Sequence, residues 1–294
     1  MNVSAVIARR YLFSKGNRNV INIISGIAAV GVGIGSLAMI IVLSAFNGLE
    51  SLVADLYTSV DPDIRVMPIK GKTFDMDSAR LDELAKWGDI EKYAPVLEEI
   101  VFIQYQNQQS IVTIRGIDES YLPFLNLDSF VYEGELAFNF RGVNAAFMGF
   151  GIADNLNLYV GDGNETMQVF AAKRDGINSM NPENKFVSKR ILPSGIVALN
   201  PEFDYSYFYT SFDFAADLLQ YTGEASYLDI TLSDDQKTKE VKEKLIQHFG
   251  DRFEVKSRIE LNDIIFKTNA TEKWVTFFIL SFIMVVATFN LIGS

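Results

Sequence analysis

Two long stretches without a charged side chain constrain this sequence more than any other feature. The first contains no Asp, Glu, Lys or Arg for 31 residues, from 19 to 49, and its apolar part spans 20–46. The second spans 274–294. A helix that crosses the hydrocarbon core of a bilayer needs about 20 apolar residues. The sequence therefore predicts an integral membrane protein, with transmembrane helices at 20–46 and 274–294.

A cleaved signal peptide is the alternative interpretation of the first stretch. The apolar region of a signal peptide runs about 7–15 residues and ends at a small-residue cleavage motif. The stretch here is longer and continues into an amphipathic helical pattern. The apolar positions of that pattern are Phe46, Leu49, Val53, Leu56 and Val60. We therefore predict an uncleaved helix, extended by a stalk helix over 47–60 that ends before Pro62.

The charged residues are distributed unevenly and predict the orientation. Residues 50–273 carry all 37 acidic residues and 22 of the 26 basic ones, a net charge of −15. The charges before them are all basic: Arg9, Arg10, Lys15 and Arg18. The positive-inside rule predicts a cytoplasmic N-terminal segment, 1–19, and a periplasmic position for 50–273. A block with this excess of acidic residues cannot neutralise the phosphates of a nucleic acid. We therefore do not expect nucleic acid as a partner.

Residues 61–257 are predicted to form an α+β domain, because β-branched and aromatic runs alternate with amphipathic ones. The predicted strands are 64–67, 90–96, 100–106, 110–116, 145–148, 167–172, 185–191 and 252–256. The predicted helices are 78–87, 211–221 and 233–249, the last opening with a capping box at Ser233 and Gln236. A further helix from Arg258 is predicted to run directly into the second span, as a stalk over 258–273.

The residue types exclude several kinds of chemistry. The chain has no cysteine and one histidine, His248. It therefore cannot use a catalytic thiolate, a common zinc site or a histidine-based triad. His248 is predicted to be partly exposed near the C-terminal end of a helix. We predict no catalytic residue, no metal ligand and no cofactor bound by this chain.

Glycines are crowded within the first span. Gly31 and Gly35 have the spacing that lets two membrane helices approach closely, so both are predicted as helix-packing positions. A nucleotide-binding glycine loop is excluded, because the glycines follow no strand. A lipid-facing groove around them remains the alternative.

Several segments, in order along nearly the whole chain, resemble one known family. They are IARRYL at 7–12, IISGIA at 23–28, GVGIG at 31–35, IIVLSAFNG at 40–48, FMG at 147–149, ADNLNLYVGD at 153–162, the segment 204–219, EK at 272–273, FIL at 278–280 and ATFN at 287–290. The chain is similar to the lipoprotein-releasing permeases of the LolC/LolE type, in the FtsX/MacB-like superfamily.

The resemblance implies a multi-pass permease subunit of an ABC transporter in the bacterial inner membrane. Such a permease extracts lipoproteins and passes them to a periplasmic carrier, while its stalk helices transmit movement. The implied partners are a cytosolic ATPase dimer that binds ATP and Mg²⁺, a second permease subunit (identical or homologous), the carrier, lipoprotein substrates and membrane lipids. The family has four membrane helices, so the resemblance implies two further spans after Ser294.

The resemblance also implies two sets of site residues. The substrate's acyl chains would contact Gly35, Met39, Leu43, Phe46, Phe278, Phe282, Val285 and Phe289. The carrier would dock on a hairpin tip at 173–185, with Lys173, Arg174, Asn178, Met180, Pro182 and Lys185.

Other functions share this topology. Within the superfamily the alternatives are an efflux permease and a mechanotransmitting permease that acts on cell-wall hydrolases. Outside it they are a two-span receptor with a periplasmic sensor domain and an assembly scaffold. Two further apolar spans after residue 294 would favour a permease, whereas a coiled coil would favour a receptor.

Overall fold

The computed structural model describes residues 3, 20–58, 60–161, 165–174 and 185–293. The chain divides into two units. The helical unit comprises the described residues up to Ala54 and from Asp263, and the α+β unit comprises those from Asp55 to Asn262. Apart from Val3, the predicted cytoplasmic segment lies outside the described residues, as does the tip of the predicted docking hairpin, 175–184.

Eight α-helices lie within the described residues. They are α1 (Val20–Thr58), α2 (Leu81–Leu84), α3 (Phe150–Leu156), α4 (Pro201–Ser206), α5 (Phe212–Leu219), α6 (Thr238–Phe249), α7 (Arg258–Leu261) and α8 (Asp263–Gly293). Among these described helices, α1 and α8 are long and apolar enough to cross a membrane, over Gly26–Leu52 and Lys267–Phe289. The two segments overlap the predicted spans and fit a membrane protein.

Thirteen strands lie within the same described ranges. They are β1 (Ile64–Pro68), β2 (Phe74–Asp75), β3 (Ile90–Tyr105), β4 (Gln108–Ile117), β5 (Val131–Gly134), β6 (Asn139–Phe140), β7 (Val143–Gly149), β8 (Met167–Ala172), β9 (Phe186–Val197), β10 (Tyr207–Ser211), β11 (Glu224–Ala225), β12 (Tyr227–Leu232) and β13 (Phe253–Ser257). Short 3-10 turns connect several of them.

One mixed sheet of eleven described strands organises the α+β unit. Its main order is β13-β1-β12-β3-β4-β10-β7-β9-β5, and β6 adds to β7. Strand β8 pairs with both β3 and β9. Strands β3, β4, β10, β7, β9 and β8 therefore close into a hydrogen-bonded ring, which we call the six-strand barrel. The contacts β4–β10 and β7–β9 are parallel, and the other barrel contacts are antiparallel.

Strand β3 belongs both to the six-strand barrel and to an antiparallel sheet that it forms with β12, β1 and β13. Its first half pairs with β12 in an antiparallel sheet, and its second half pairs with β4 and β8 in the barrel. The prediction of two strands, 90–96 and 100–106, is wrong. The strand is continuous, because its backbone pairs with β12 up to Val96 and with β4 from Leu97 onward. Next to this change of partner, the Glu98 carboxylate accepts hydrogen bonds from Arg115 and the Tyr227 hydroxyl.

Buried apolar side chains fill the barrel and both faces of the antiparallel sheet. The barrel interior includes Val101, Ile103, Ile114, Met148 and Phe208, closed by residues of α3 and α5. On one face of the antiparallel sheet, Ile64 and Ile230 pack with Val241 and Leu245 of α6. Aromatic residues dominate the third cluster, which includes Tyr121, Phe138, Phe147, Phe203 and Tyr209.

Two predicted helices are shorter than expected, and each has a local cause. Arg80 has a φ of 50°, which separates the 3-10 turn Asp77–Ala79 from the one-turn helix α2. Helix α6 begins only at Thr238, after a second 3-10 turn. The side chain that accepts a hydrogen bond at the start of that turn belongs to Asp234, and its donor is the Gln236 N–H. The predicted cap at Ser233 is therefore wrong by one residue.

The predicted continuous helix from Arg258 into the second span is also wrong. Helix α7 ends at Leu261, and α8 begins at Asp263. Asn262 between them has φ −104° and ψ 27°, outside the helical range. Its side-chain amide donates to Asp61 Oδ2 at 2.7 Å, so this polar residue bonds to the segment before β1 where the helix breaks.

Candidate functional site

Helices α1 and α8 contact each other at two levels within the helical unit. Met284 Sδ lies 3.4 Å from Ser36 Oγ. Farther along, the Lys273 ammonium donates to Asn47 Oδ1 at 2.6 Å and lies 3.5 Å from a Glu50 carboxylate oxygen. These contacts fix which face of each helix meets the other.

The two predicted packing glycines have different surroundings. A Cβ atom added to Gly35 would lie 3.1 Å from Met284 Cγ, so the missing side chain allows α8 to approach. A Cβ atom added to Gly31 would meet no described atom within 4 Å. Helix packing at Gly31 therefore stays a prediction, and its partner would have to lie outside the described residues.

The predicted acyl-chain residues divide into two groups that do not meet within this unit. Met39, Leu43 and Phe46 are half-buried on the side of α1 that also carries Gly35. The members on α8 are strongly exposed and share one face: Phe278, Phe282, Val285 and Phe289. Helical periodicity places that face on the opposite side of α8 from Met284. A single groove lined by both groups is therefore not formed within the described chain.

The predicted docking residues lie in sequence between β8 and β9, which pair with each other as antiparallel strands. Asn178, Met180 and Pro182 lie outside the described residues. Lys173 and Lys185 form the hairpin base, where the Lys173 N–H donates to the Lys185 carbonyl at 2.8 Å. Arg174 turns toward another part of the unit. Its guanidinium donates to both carboxylate oxygens of Glu224, at 2.9 and 3.1 Å, and lies 4.2 Å from the centre of the Tyr221 ring.

An apolar groove beside this hairpin was not predicted. It encloses about 420 Å³ and is lined by Ile100, Val101, Phe102, Ile111, Phe170, Ala172 and Phe186. Phe102 of β3 pairs with Ile111 of the neighbouring strand β4 and with Phe170 of the other neighbouring strand, β8. The three side chains therefore form a row across adjacent strands. The signal in the sequence is the run at 100–103, where both faces of a strand are apolar. An exposed patch of this kind is typical of a contact surface.

A buried ionic network lies on the face of the sheet that carries the aromatic cluster. Arg65 donates to both oxygens of Asp229, at 2.6 and 3.0 Å. Arg115 donates to Glu98 at 2.7 Å and to the Tyr209 hydroxyl at 2.9 Å. The guanidinium carbon of Arg115 also lies 3.6 Å from the centre of the Tyr207 ring. These contacts compensate the charges of both arginines, as buried ions require.

Burial and pairing shift the acidic members of this network in opposite directions. Burial raises the pKa of Asp229 above its ordinary value, and the bonds from Arg65 offset this only in part. Burial also acts to raise the pKa of Glu98, but Arg115 and the Tyr227 hydroxyl outweigh it and hold that pKa below its ordinary value. Because its members bond one another, we interpret the network as structural. Strand alternation alone does not reveal such pairings.

His248 is partly exposed near the C-terminal end of α6, as predicted, and most of its imidazole is covered. Its side chain is 9% exposed, and its Nδ1 lies 3.6 Å from a Glu83 carboxylate oxygen. The imidazole packs edge-on against the rings of Trp87 and Phe249. The sequence does not indicate that Glu83 of α2 and Trp87 lie beside this end of α6.

The profile of the MacB-like periplasmic core domain family matches residues 25–248, from within α1 to near the end of α6. This chain belongs to that family. The resemblance to LolC- and MacB-type permeases predicted from the sequence is thereby confirmed at the level of the family.

One curated relative of this MacB-like chain is a distant one. The lipoprotein-releasing system transmembrane protein LolC of Buchnera aphidicola is 24% identical over 160 residues, which are 54% of this chain and 39% of that protein. The chain therefore spans less than half the length of that relative.

Similar solved structures include the periplasmic region of MacB from Actinobacillus actinomycetemcomitans, with a TM-score of 0.47 and 13% identity over 70% of this chain and 94% of that one. The extracellular domain of the ABC-type transporter YknZ from Gram-positive bacteria has a TM-score of 0.45 and 10% identity, over 66% of this chain and 99% of that one.

Proposed function

We propose that this protein is a permease subunit of an ABC transporter of the MacB/FtsX/LolC type. One observation carries the proposal: the family match at 25–248 covers most of the α+β unit and begins inside the first of two membrane-length apolar helices. A two-span receptor or a scaffold does not account for that match. In this proposal a partner ATPase hydrolyses ATP, and the chain itself carries out no chemistry.

The proposed orientation has the N-terminus in the cytoplasm and residues 50–273 in the periplasm, with the chain in the bacterial inner membrane. The support is the charge distribution, since the first 49 residues carry four basic and no acidic side chains. The acid-rich remainder suits a domain held away from anionic lipid headgroups.

The finer proposal is that the substrate is a lipoprotein, which the permease extracts and passes to a periplasmic carrier. The LolC relative supports this substrate class. The exposed aromatic face of α8 offers a surface for acyl chains or for a second permease subunit. The apolar groove beside the β8–β9 hairpin offers a surface for the carrier. The MacB-like family match favours an efflux permease as the second candidate.

Co-purification and transfer assays test these proposals. Full-length protein extracted from native membrane should retain an ATPase and an acylated protein. After reconstitution in proteoliposomes, ATP should drive transfer of that acylated protein to a soluble carrier. A partner ATPase without ATP-dependent lipoprotein transfer would retain the transporter class and favour efflux, whereas absence of any ATPase would contradict the permease proposal.

The predicted docking loop, 173–185, has its own test, separate from the apolar groove. Deleting 175–184 retains Lys173 and the Arg174–Glu224 ion pair, so the hairpin base is preserved. We expect ATPase assembly to stay intact and transfer to the carrier to fall. The control replaces the β3–β4 turn residues Gln106 and Asn107 with two glycines. Normal transfer by the 175–184 deletion would contradict docking at this hairpin.

A further inference from the structure

Two covalent connections join the helical unit to the α+β unit, between residues 54 and 55 and between residues 262 and 263. Four polar side chains of the α+β unit lie close to these connections in sequence. Asp61 and Asp63 follow the first connection, and Arg258 and Asn262 precede the second. We call these four residues the junction cluster.

Direct hydrogen bonds join the two segments of the junction cluster. The Asn262 amide donates to Asp61 Oδ2 at 2.7 Å. The Arg258 side chain donates through Nε to the Asp61 carbonyl at 3.2 Å and through its terminal nitrogen to an Asp63 carboxylate oxygen. The Arg258 backbone N–H adds a bond to the Asp63 carbonyl at 3.0 Å. The paired residues lie 195 to 201 positions apart in sequence.

The cluster is also anchored in the sheet. The Asp63 side chain is 4% exposed, and its second oxygen accepts the Leu232 N–H of β12 at 2.7 Å. On the other side, Ser257 and Glu260 form a capping box that opens α7, and Lys242 of α6 pairs with Glu260. Charge-assisted bonds of this kind fix geometry more strongly than neutral ones. An ion pair sheltered from solvent is also screened less by salt.

We propose that the junction cluster is a positioning site that ties the two chain connections together, so that displacement of either one moves the other and the sheet behind it. Arg258 is its central positioning residue, because it bonds to both acidic residues. Only the consequence of this inference rests on the proposed function. That consequence is that movement started by a partner ATPase reaches the sheet through both connections at once.

Hydrogen exchange on the full-length protein in detergent micelles tests the coupling without any transport assay. The mild variant is Asn262→Ala, which removes two side-chain hydrogen bonds, to Asp61 Oδ2 and to the Arg258 carbonyl, and no charge. If the cluster opens as one unit, this variant should speed amide exchange severalfold both in its own segment and at 60–68 and 228–234. Arg258→Ala should have a larger effect at the same positions, about tenfold or more. Faster exchange confined to 258–266 in both variants would overturn the proposal.

The matched control is Lys256→Ala. Lys256 lies on β13, two residues before Arg258, and pairs with Glu254 on its own strand. The substitution removes the same charge without touching the cluster, so exchange at 60–68 and 228–234 should stay at the wild-type rate. An equal increase in this control would assign the Arg258 effect to charge alone and overturn the proposal.

A disulfide supplies the functional test, because the chain contains no cysteine. In the double variant Asp61→Cys/Asn262→Cys, combined with Arg258→Ala, oxidation restores the link that the substitutions remove. We expect ATP hydrolysis in both redox states. Transfer of cargo per ATP should be reduced roughly fivefold to tenfold when the cysteines are reduced, and recovered on oxidation.

Equal transfer in the two redox states would overturn the positioning role. If the wild-type protein transfers no lipoprotein, the substrate proposal fails, and the exchange experiment still decides whether the cluster couples the two connections.

Discussion

The helical unit and the α+β unit place the same residue type in opposite environments. In the α+β unit Phe147 and Phe208 are completely buried, whereas Phe278, Phe282 and Phe289 of α8 are 63–70% exposed. Burial of apolar surface is the main favourable term in folding. The α+β unit therefore carries its own core. The apolar surface of the helical unit needs lipid or other protein helices to cover it.

The polar contacts of the two units differ in the same way. In the α+β unit Arg65 and Arg115 are buried with several partners each. In the helical unit the bonds of Lys273 lie at an exposed position. Buried ionic contacts lose much when one partner is removed, whereas exposed pairs lose little. The structure of the α+β unit is thus stabilised by its own internal contacts, whereas that of the helical unit depends on the lipid or protein around it.

A matched pair of phenylalanine substitutions is the strongest test of this comparison. The Phe147 ring stacks between those of Phe138 and Tyr209, at centroid distances of 5.7 and 5.0 Å. Phe147→Ala should therefore lower the free energy of unfolding by roughly 3–5 kcal/mol. Phe282→Ala should change it by less than about 0.5 kcal/mol in micelles.

Both phenylalanine variants can be measured by urea unfolding of the full-length protein. Residues 1–294 contain two tryptophans, so the fluorescence reports Trp87 alone once Trp274 and any tryptophan outside residues 1–294 are replaced by Phe. A large loss in Phe282→Ala would mean that this side chain is covered by protein, and the comparison would break.

The buried network should give a smaller, pH-dependent effect. Glu98→Gln leaves Arg115 without a charged partner, so we expect a loss of about 2 kcal/mol near neutral pH. Because Arg115 and Tyr227 hold the folded pKa of Glu98 below its ordinary value of 4.5, its ionic contribution is complete above that value. It is lost as the pH falls through the folded pKa.

The difference between wild type and Glu98→Gln should therefore shrink below about pH 4.5. Urea unfolding at several pH values measures it. Glu254→Gln, at an exposed position, is the control. A difference that is constant with pH would mean that the charge of Glu98 contributes nothing to stability.

The two glycines of α1 sharpen the comparison within the helical unit. Gly35→Leu places a side chain against Met284 and should cost about 1 kcal/mol of packing between α1 and α8. Cross-linking between Asn47→Cys and Lys273→Cys, two positions in contact across α1 and α8, reports this packing while Met284 stays in place, and its rate should fall. Gly31→Leu should leave the rate unchanged, because nothing described lies within 4 Å. A fall in both variants would mean that α8 approaches α1 along both glycines.

The smallest effect is expected for Lys273→Ala. An exposed bond of this kind contributes roughly 0.2–1 kcal/mol, so the rate of cross-linking between Ser36→Cys and Met284→Cys should fall only slightly. High salt should reduce the difference further. Lys267→Ala is the control, because Lys267 pairs with Asp263 on its own helix. A large effect would show that the polar contact, and not apolar packing, holds the helices together.

Local patterns predicted some features of the fold and not others. Uncharged length predicted two membrane-length helices, and residue alternation predicted strands such as 110–116 and 167–172. Closure of the barrel was not predictable, because it depends on the non-local pairing of β8 with β3 and on the parallel pairing of β4 with β10. No short-range signal specifies such partners.

The candidate site shows the same limit. Helical periodicity groups Phe278, Phe282, Val285 and Phe289 on one face, but it does not indicate which face meets α1. The contact between Gly35 and Met284 settles that orientation within the helical unit. The bond between Asp61 and Asn262 joins residues 201 positions apart, and a local sequence motif cannot predict a contact at that separation.

The double membership of β3 has a consequence for how the α+β unit melts. Its backbone continues from the antiparallel sheet into the barrel without an intervening loop. Neither part retains all of its strands if the other comes apart, so calorimetry should record one endotherm in place of two. Long insertions should be accepted at hairpin tips and rejected near residue 97, where a single peptide segment serves both assemblies.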